Sequence, residues 1–131
     1  MDSAVTMAWF FPDEATPQTD ALRKRLEHET AAVPSLWPLE VANVMLMGER
    51  RGRTSRADAE EFIALLNGLP IIRDDQTPAL AFAAILPLAR TQNLTTYDAA
   101  YLELALRLGL PLATLDRRLL QAAQALGVTL L

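Results

Sequence analysis

Short apolar runs of strand length alternate with helices that carry their own start and stop signals. That alternation predicts an α/β domain with a mostly parallel sheet covered on both faces. The runs Ala31-Ala32-Val33, Pro70-Ile71-Ile72, Leu112-Ala113-Thr114-Leu115 and Val128-Thr129-Leu130-Leu131 are apolar almost throughout, as strands buried on both sides must be. The 131 residues are 51% hydrophobic, enough for one core without crosslinks, so residues 1–131 are read as a single domain.

The elements follow in order. Thr16-Pro17 supplies a cap and a first-turn proline for a helix reaching about Glu29. Ser35 is the expected cap of a helix running to about Arg51, with Pro38 in its first turn and Gly52 beyond its end. Ser55-Arg56-Ala57-Asp58 has capping-box spacing ahead of Phe62, Leu65 and Leu66. Thr77-Pro78 opens a further helix that Pro87 should kink or split. Asp98 is the expected cap of a helix that Gly109 stops, and Asp116 of a last helix that Gly127 stops.

Composition removes several function classes. There is no cysteine, which excludes disulfides, thiolate zinc sites and a cysteine nucleophile. The one histidine, His28, lies in the polar run Arg23–Glu29 and reads as part of a solvated helix face, so a histidine-based triad has no candidate. No apolar run approaches a membrane span and no secretory signal is visible, so a soluble, cytoplasmic protein is the expectation. The net charge of −4 argues against nucleic-acid binding by bulk charge, while local patches remain able to take phosphate.

Ligands of an open parallel sheet bind beyond the carboxyl ends of its strands. Asp2, Glu40, Asp98 and Asp116 all fall near such ends or at helix starts. Capping alone accounts for Asp98 or Asp116 taken singly, and the helix dipole accounts for a first-turn Glu40. Together they are harder to explain, because carboxylates converging at one sheet edge repel unless a cation sits among them. Oxygen donors without His or Cys suit Mg²⁺ or Mn²⁺. Asn43, one turn beyond Glu40, shares its face. Tyr97 and Tyr101 read as packing residues. Trp9, Phe10 and Phe11 read as core, or as a groove for a partner helix.

At these residues the chain resembles the PIN-domain family, and most closely the VapC-type toxins of bacterial toxin–antitoxin pairs. The matching stretches are Asp2–Glu14, Pro38–Val44, Leu94–Leu102 and Leu110–Leu119, in family order from end to end of the chain. The resemblance implies a three-layer α/β/α fold and an endoribonuclease that uses Mg²⁺ or Mn²⁺. It implies Asp2, Glu40, Asp98 and Asp116 as the active site; among them, Asp2 and Asp98 are our expected most direct metal ligands. Thr114 would support the last acid, and Asn43 falls where the family often has a polar neighbour of its glutamate. An RNA substrate, a cognate antitoxin and a homodimer are implied with it.

Two departures from the pattern carry expectations of their own. The family has an apolar strand before its first aspartate, whereas only Met1 precedes Asp2 here. That strand is expected to be missing or truncated, leaving Asp2 poorly positioned. The family usually has Ser or Thr two residues after that aspartate; Ala4 stands there, with Ser3 one residue early. Cations are needed where an acidic site meets RNA. Arg50, Arg51, Arg53 and Arg56 follow the Glu40 helix, and Arg117 and Arg118 follow Asp116. A helix dipole accounts for Arg50 and Arg51 but disfavours Arg117 and Arg118, which makes the latter two the stronger phosphate candidates. Two other readings compete with a ribonuclease: an impaired PIN domain that only binds protein, and a DNA or other phosphodiesterase on the same acids.

Overall fold

A computed structural model describes residues 1–131, and an α/β fold emerges from it. Its elements are α1 (Ser3–Phe10), a 3₁₀ turn at Pro12–Glu14, α2 (Pro17–Arg25), β1 (Ala31–Pro34), α3 (Trp37–Arg50), α4 (Arg56–Asn67), β2 (Ile71–Asp74), α5 (Thr77–Leu80), a π-helical stretch at Ala81–Ile85, α6 (Leu86–Gln92), α7 (Thr96–Leu108) and α8 (Arg117–Ala125). No helix is long and apolar enough to cross a membrane.

The caps explain most of these boundaries. Thr16 and Thr19 bond each other's backbone N–H groups reciprocally to start α2, and Ser55 accepts from Asp58 N–H to start α4. Two expected caps move. Leu36, not Ser35, precedes α3, and no side chain caps that helix. Thr95, not Asp98, caps α7: its hydroxyl accepts from Asp98 N–H at 3.1 Å, which makes Asp98 the third helical residue. Gly109, at φ +64°, ends α7 in the left-handed conformation that glycine adopts without strain. Pro87 splits its helix as expected: the stretch opened at Thr77 divides into α5, the π-helical stretch and α6. It sits second in α6, and the π-helical widening just before it absorbs the lost backbone hydrogen bond.

The sheet is smaller than the four expected strands. β1 and β2 pair in parallel, Ala31 opposite Ile71 through Pro34 opposite Asp74. The Leu112 and Val128 runs meet in a single parallel bridge, Leu112 to Leu130. Between these two patches the linking backbone is Met1-Asp2: the Met1 ammonium lies 3.5 Å from Ala32 O, and Asp2 N–H donates to Ala113 O at 3.0 Å. So short a link joins the patches without extending either ladder. An apolar cavity of about 210 Å³, lined by Leu26, Leu104, Leu112 and Leu131 among others, lies beside it.

The main core gathers Met7, Phe11, Val33, Trp37, Tyr101, Leu102 and Leu119. Trp9, Phe10 and Phe11 belong to this packing. Trp9 donates its indole N–H to Thr19 O at 2.8 Å, and the Phe10 and Phe62 ring centroids are 4.8 Å apart. A Cβ on Gly48 would come within 3.2 Å of the Phe11 ring, so the missing side chain lets α3 approach α1 closely.

Helix α7 is buried from Ala99 to Ala105, including Glu103. That acid is matched by Arg107, whose Nε lies 2.6 Å from Glu103 and whose Nη2 lies 2.7 Å from Asp74 at the end of β2. Arg107 thus latches α7 to β2 and holds Asp74 below the usual carboxylate range. Arg107→Ala leaves Glu103 largely buried and unpaired, and is expected to cost about 1–3 kcal/mol in a urea melt. Because the Asp74 pKa is depressed in the folded state, its share of this stability is complete above an unfolded pKa of about 3.9. It fades as pH falls through the lower folded value. A melt of Arg107→Ala that matches wild type at pH 7 would remove this role.

Candidate metal and active site

Four helix N-termini carry the acids. Asp2 caps α1, its Oδ1 accepting from Val5 N–H at 3.0 Å. Glu40 lies in the first turns of α3, and Asp98 in the first turn of α7. Asp116 caps α8, its Oδ1 accepting from Leu119 N–H at 2.9 Å. Helix N-termini carry partial positive charge, which lowers the cost of gathering carboxylates there.

The fold brings these acids within electrostatic reach of one another. Burial first, and then the charge of Asp116, raise the Asp2 carboxyl above its ordinary range. Burial, then Asp98 and Asp2, raise Glu40. Burial, then Asp116 and Asp2, raise Asp98. No salt bridge offsets this repulsion. The arginines that form ion pairs pair with Glu29, Asp13, Glu14, Glu60, Asp74 and Glu103, and none reaches a site acid.

Neutral donors position the acids instead. The Thr114 hydroxyl donates to Asp2 Oδ2 and accepts from Asp116 N–H at 3.0 Å, tying two acids to one buried side chain. Trp37 Nε1 donates to Thr6 Oγ1 at 3.0 Å, and Thr6 in turn donates to the Asp2 carbonyl at 3.4 Å, which docks α3 on the start of α1. Asp2 is therefore well held by Val5, Thr114 and Ala113, contrary to the expectation that a missing strand would leave it loose. Ala4 is exposed, while Ser3 stands beside Glu40 and Tyr101, where its hydroxyl favours the ionised form of each.

The two tyrosines divide: Tyr97 departs from the expected packing role, while Tyr101 packs into the main core as expected and adds a hydrogen bond. Tyr97 is 64% exposed beside Asp98. Tyr101 is 2% exposed, and its hydroxyl donates to Glu40 Oε1 at 2.5 Å. Burial, then Glu40, push the Tyr101 hydroxyl well above the usual phenol range, so it remains a donor. The sequence separation of 61 residues hides this pair from any spacing rule. The i, i+3 relation of Asp98 and Tyr101 was the one available signal that both face the same way.

Asn43 is exposed and forms no side-chain hydrogen bond within the chain. The arginines divide. Arg117 and Arg118 are exposed at the start of α8, directly after Asp116. Arg50 and Arg51 lie at the other end of α3, some ten residues or about 15 Å beyond Glu40 at 1.5 Å per residue. Arg53 is occupied: it bonds Asp13 at 2.8 Å and Glu14 at 2.7 Å, and lies 3.7 Å from the Phe11 ring centroid. Arg56 pairs with Glu60. Arg53 and Arg56 are thus engaged in ion pairs, and Arg50 and Arg51 lie at the end of α3 away from Glu40.

The donor set is all oxygen, which suits a hard divalent cation. Asp116 keeps Oδ2 clear of hydrogen bonds from the chain, and the Asp98 carboxylate accepts no backbone N–H. No three of the acids close around one point, so an ion reached by them would complete its shell with water.

The comparisons with known proteins agree with this architecture. The PIN-domain family profile matches residues 1–125. Ribonuclease VapC3 of Pyrobaculum aerophilum is 32% identical over 131 aligned residues, covering 96% of this chain and 95% of that protein. The crystal structure of PAE2754, also from Pyrobaculum aerophilum, superposes with a TM-score of 0.68 at 27% identity over 92% of this chain and 76% of that one. Matched by the family profile over nearly its whole length, and by a VapC relative end to end, the chain belongs to the PIN-domain family as a VapC-type member.

Proposed function

We propose that this protein is a divalent-metal-dependent endoribonuclease, acting as the toxin of a toxin–antitoxin pair. The observation that carries the reading is the placement of Asp2, Glu40, Asp98 and Asp116 at four helix N-termini, with Thr114 joining two of them and no basic side chain paired to any. Burial and mutual repulsion disfavour the ionised form of such a group, and a cation among the acids favours it. The similarity to Ribonuclease VapC3 supports the choice of RNA.

In this reading Asp2 and Asp98 would hold a Mg²⁺ or Mn²⁺ ion most directly, while Glu40 and Asp116 would bind through water or orient the attacking water. The ion supplies a more acidic water and neutralises charge on the phosphoryl oxygens. Thr114 keeps Asp2 and Asp116 in register. Arg117 and Arg118 take the flanking phosphates. Hydrolysis by water leaves the ribose 2′-hydroxyl out of the chemistry, so discrimination against DNA comes from binding. A protein antitoxin and a second copy of the chain are the proposed partners. Leu39 and Phe82, 76% and 85% exposed, are apolar surface of the kind such contacts cover.

Cleavage of single-stranded RNA should appear with Mg²⁺ or Mn²⁺, vanish with EDTA and return with excess metal, and DNA of the same sequence should survive. The Arg117→Ala, Arg118→Ala pair should flatten the salt dependence of RNA binding by a log–log slope of about 1–2. Cleavage that persists in EDTA, or that treats DNA and RNA alike, would overturn this function.

A further inference from the structure

We infer that Tyr101 is a positioning residue for the metal site, its hydroxyl holding Glu40 turned inward toward Asp98 and Asp2; the inference rests on the metal-site reading above. Glu40 needs such a holder. It lies only half-buried on α3, between exposed Leu39 and a run of exposed Ala42, Asn43 and Val44. Its flexible side chain can swing to water, and repulsion from Asp98 and Asp2 favours that escape. No cation restrains it, since none of the chain's ion pairs includes Glu40.

Tyr101 is placed to oppose this. Its ring is packed into the main core with Val33, Trp37 and Leu102, so the hydroxyl is a fixed point rather than a mobile one. The 2.5 Å contact is made to Oε1. A carboxylate pinned through one oxygen has a defined direction for the other. A charge-assisted hydrogen bond of this kind is also roughly twice as strong as a neutral one. Because α7 carries Asp98 one turn earlier on the same face, a single buried helix sets both Asp98 and, through Tyr101, the acid of α3. Neighbours that orient metal-site carboxylates in this way change metal affinity or turnover about 10–100-fold when removed.

The test is Tyr101→Phe, which keeps the ring and removes only the bond, compared with Glu40→Gln and the double variant. Readouts are steady-state RNA cleavage, and Mn²⁺ binding by calorimetry without RNA. The expected result for Tyr101→Phe is kcat lower by about 10–100-fold with KM within about twofold, and Mn²⁺ affinity weaker by about tenfold. In the Glu40→Gln background, Tyr101→Phe should add nothing. Wild-type kcat and Mn²⁺ affinity in Tyr101→Phe, or losses that multiply fully with those of Glu40→Gln, overturn the positioning role while leaving the ribonuclease reading intact. If the wild type binds Mn²⁺ but cleaves no RNA, the proposed function fails, and weakened Mn²⁺ binding by Tyr101→Phe still supports the role. A wild type that binds no Mn²⁺ overturns both.

Discussion

Replacing Asp98 with asparagine is expected to lower RNA cleavage by about 10²–10³-fold, the usual cost of removing one well-placed electrostatic group. The same change should make the metal-free protein more stable. The Asp98 carboxyl is raised by burial and then by Asp116 and Asp2, so its ionised form is disfavoured in the fold. A carboxyl whose folded pKa exceeds its unfolded value of about 3.9 subtracts stability above the folded pKa. That penalty fades as pH falls toward the unfolded value. Metal-free wild type should therefore melt higher at mildly acidic pH than at pH 7.5, and Asp98→Asn should flatten this difference. The amide should raise the pH 7.5 melting temperature by about 4 °C for each kcal/mol of repulsion relieved.

Adding Mn²⁺ reverses the ranking. A ligand bound only by the folded state stabilises it by mass action, and the wild type should gain where Asp98→Asn does not. Melts at two pH values, with and without Mn²⁺, separate a metal ligand from a simple helix residue. An Asp98→Asn protein that melts and cleaves like wild type under all four conditions would falsify the assignment.

Parts of this structure were legible in the sequence and parts were not, and the division follows the range of the interactions. Local signals served well: Thr16-Pro17 and Ser55 start α2 and α4, and Gly109 ends α7. Each depends on residues within a turn of one another. The cap of α7 falls at Thr95 and not at the expected Asp98, although Thr95-Thr96-Tyr97-Asp98 repeats the spacing of Ser55–Asp58. In both helices a hydroxyl caps the backbone N–H of an aspartate three residues on. The Leu112 and Val128 runs have strand composition, but a strand also needs a neighbour, and these two meet in only a single bridge.

Distance in sequence hid the rest. Asp13-Glu14 and Arg53 stand about 40 residues apart in sequence, and only the fold joins them into an ion pair. Asp74 is likewise latched to Arg107, 33 residues on. The acids were visible as residue types at helix starts. Their partners, Thr114 for Asp2 and Tyr101 for Glu40, depend on the three-dimensional fold.

Thr114→Val is the sharpest test of how these acids are held. Valine matches threonine in shape, so packing survives and only the hydroxyl is lost. Two buried or half-buried groups then lose their partner together: Asp2 Oδ2, which accepts from the hydroxyl, and Asp116 N–H, which donates to it. A stability loss of about 2 kcal/mol is expected, the cost of leaving buried polar groups unsatisfied. The Thr114 bond also favours the ionised form of Asp2, so its removal leaves burial and Asp116 to raise that carboxyl further. Cleavage should fall about 10–100-fold, as expected when a neighbour that orients metal-site carboxylates is removed. Thr114→Ser keeps the hydroxyl and loses a methyl, so it should retain cleavage within a fewfold while giving up some stability. Damage in serine with valine intact would place the role in the methyl group's packing. Loss in valine alone would place it in the hydroxyl, which acts on two acids 114 residues apart in sequence but joined by one side chain.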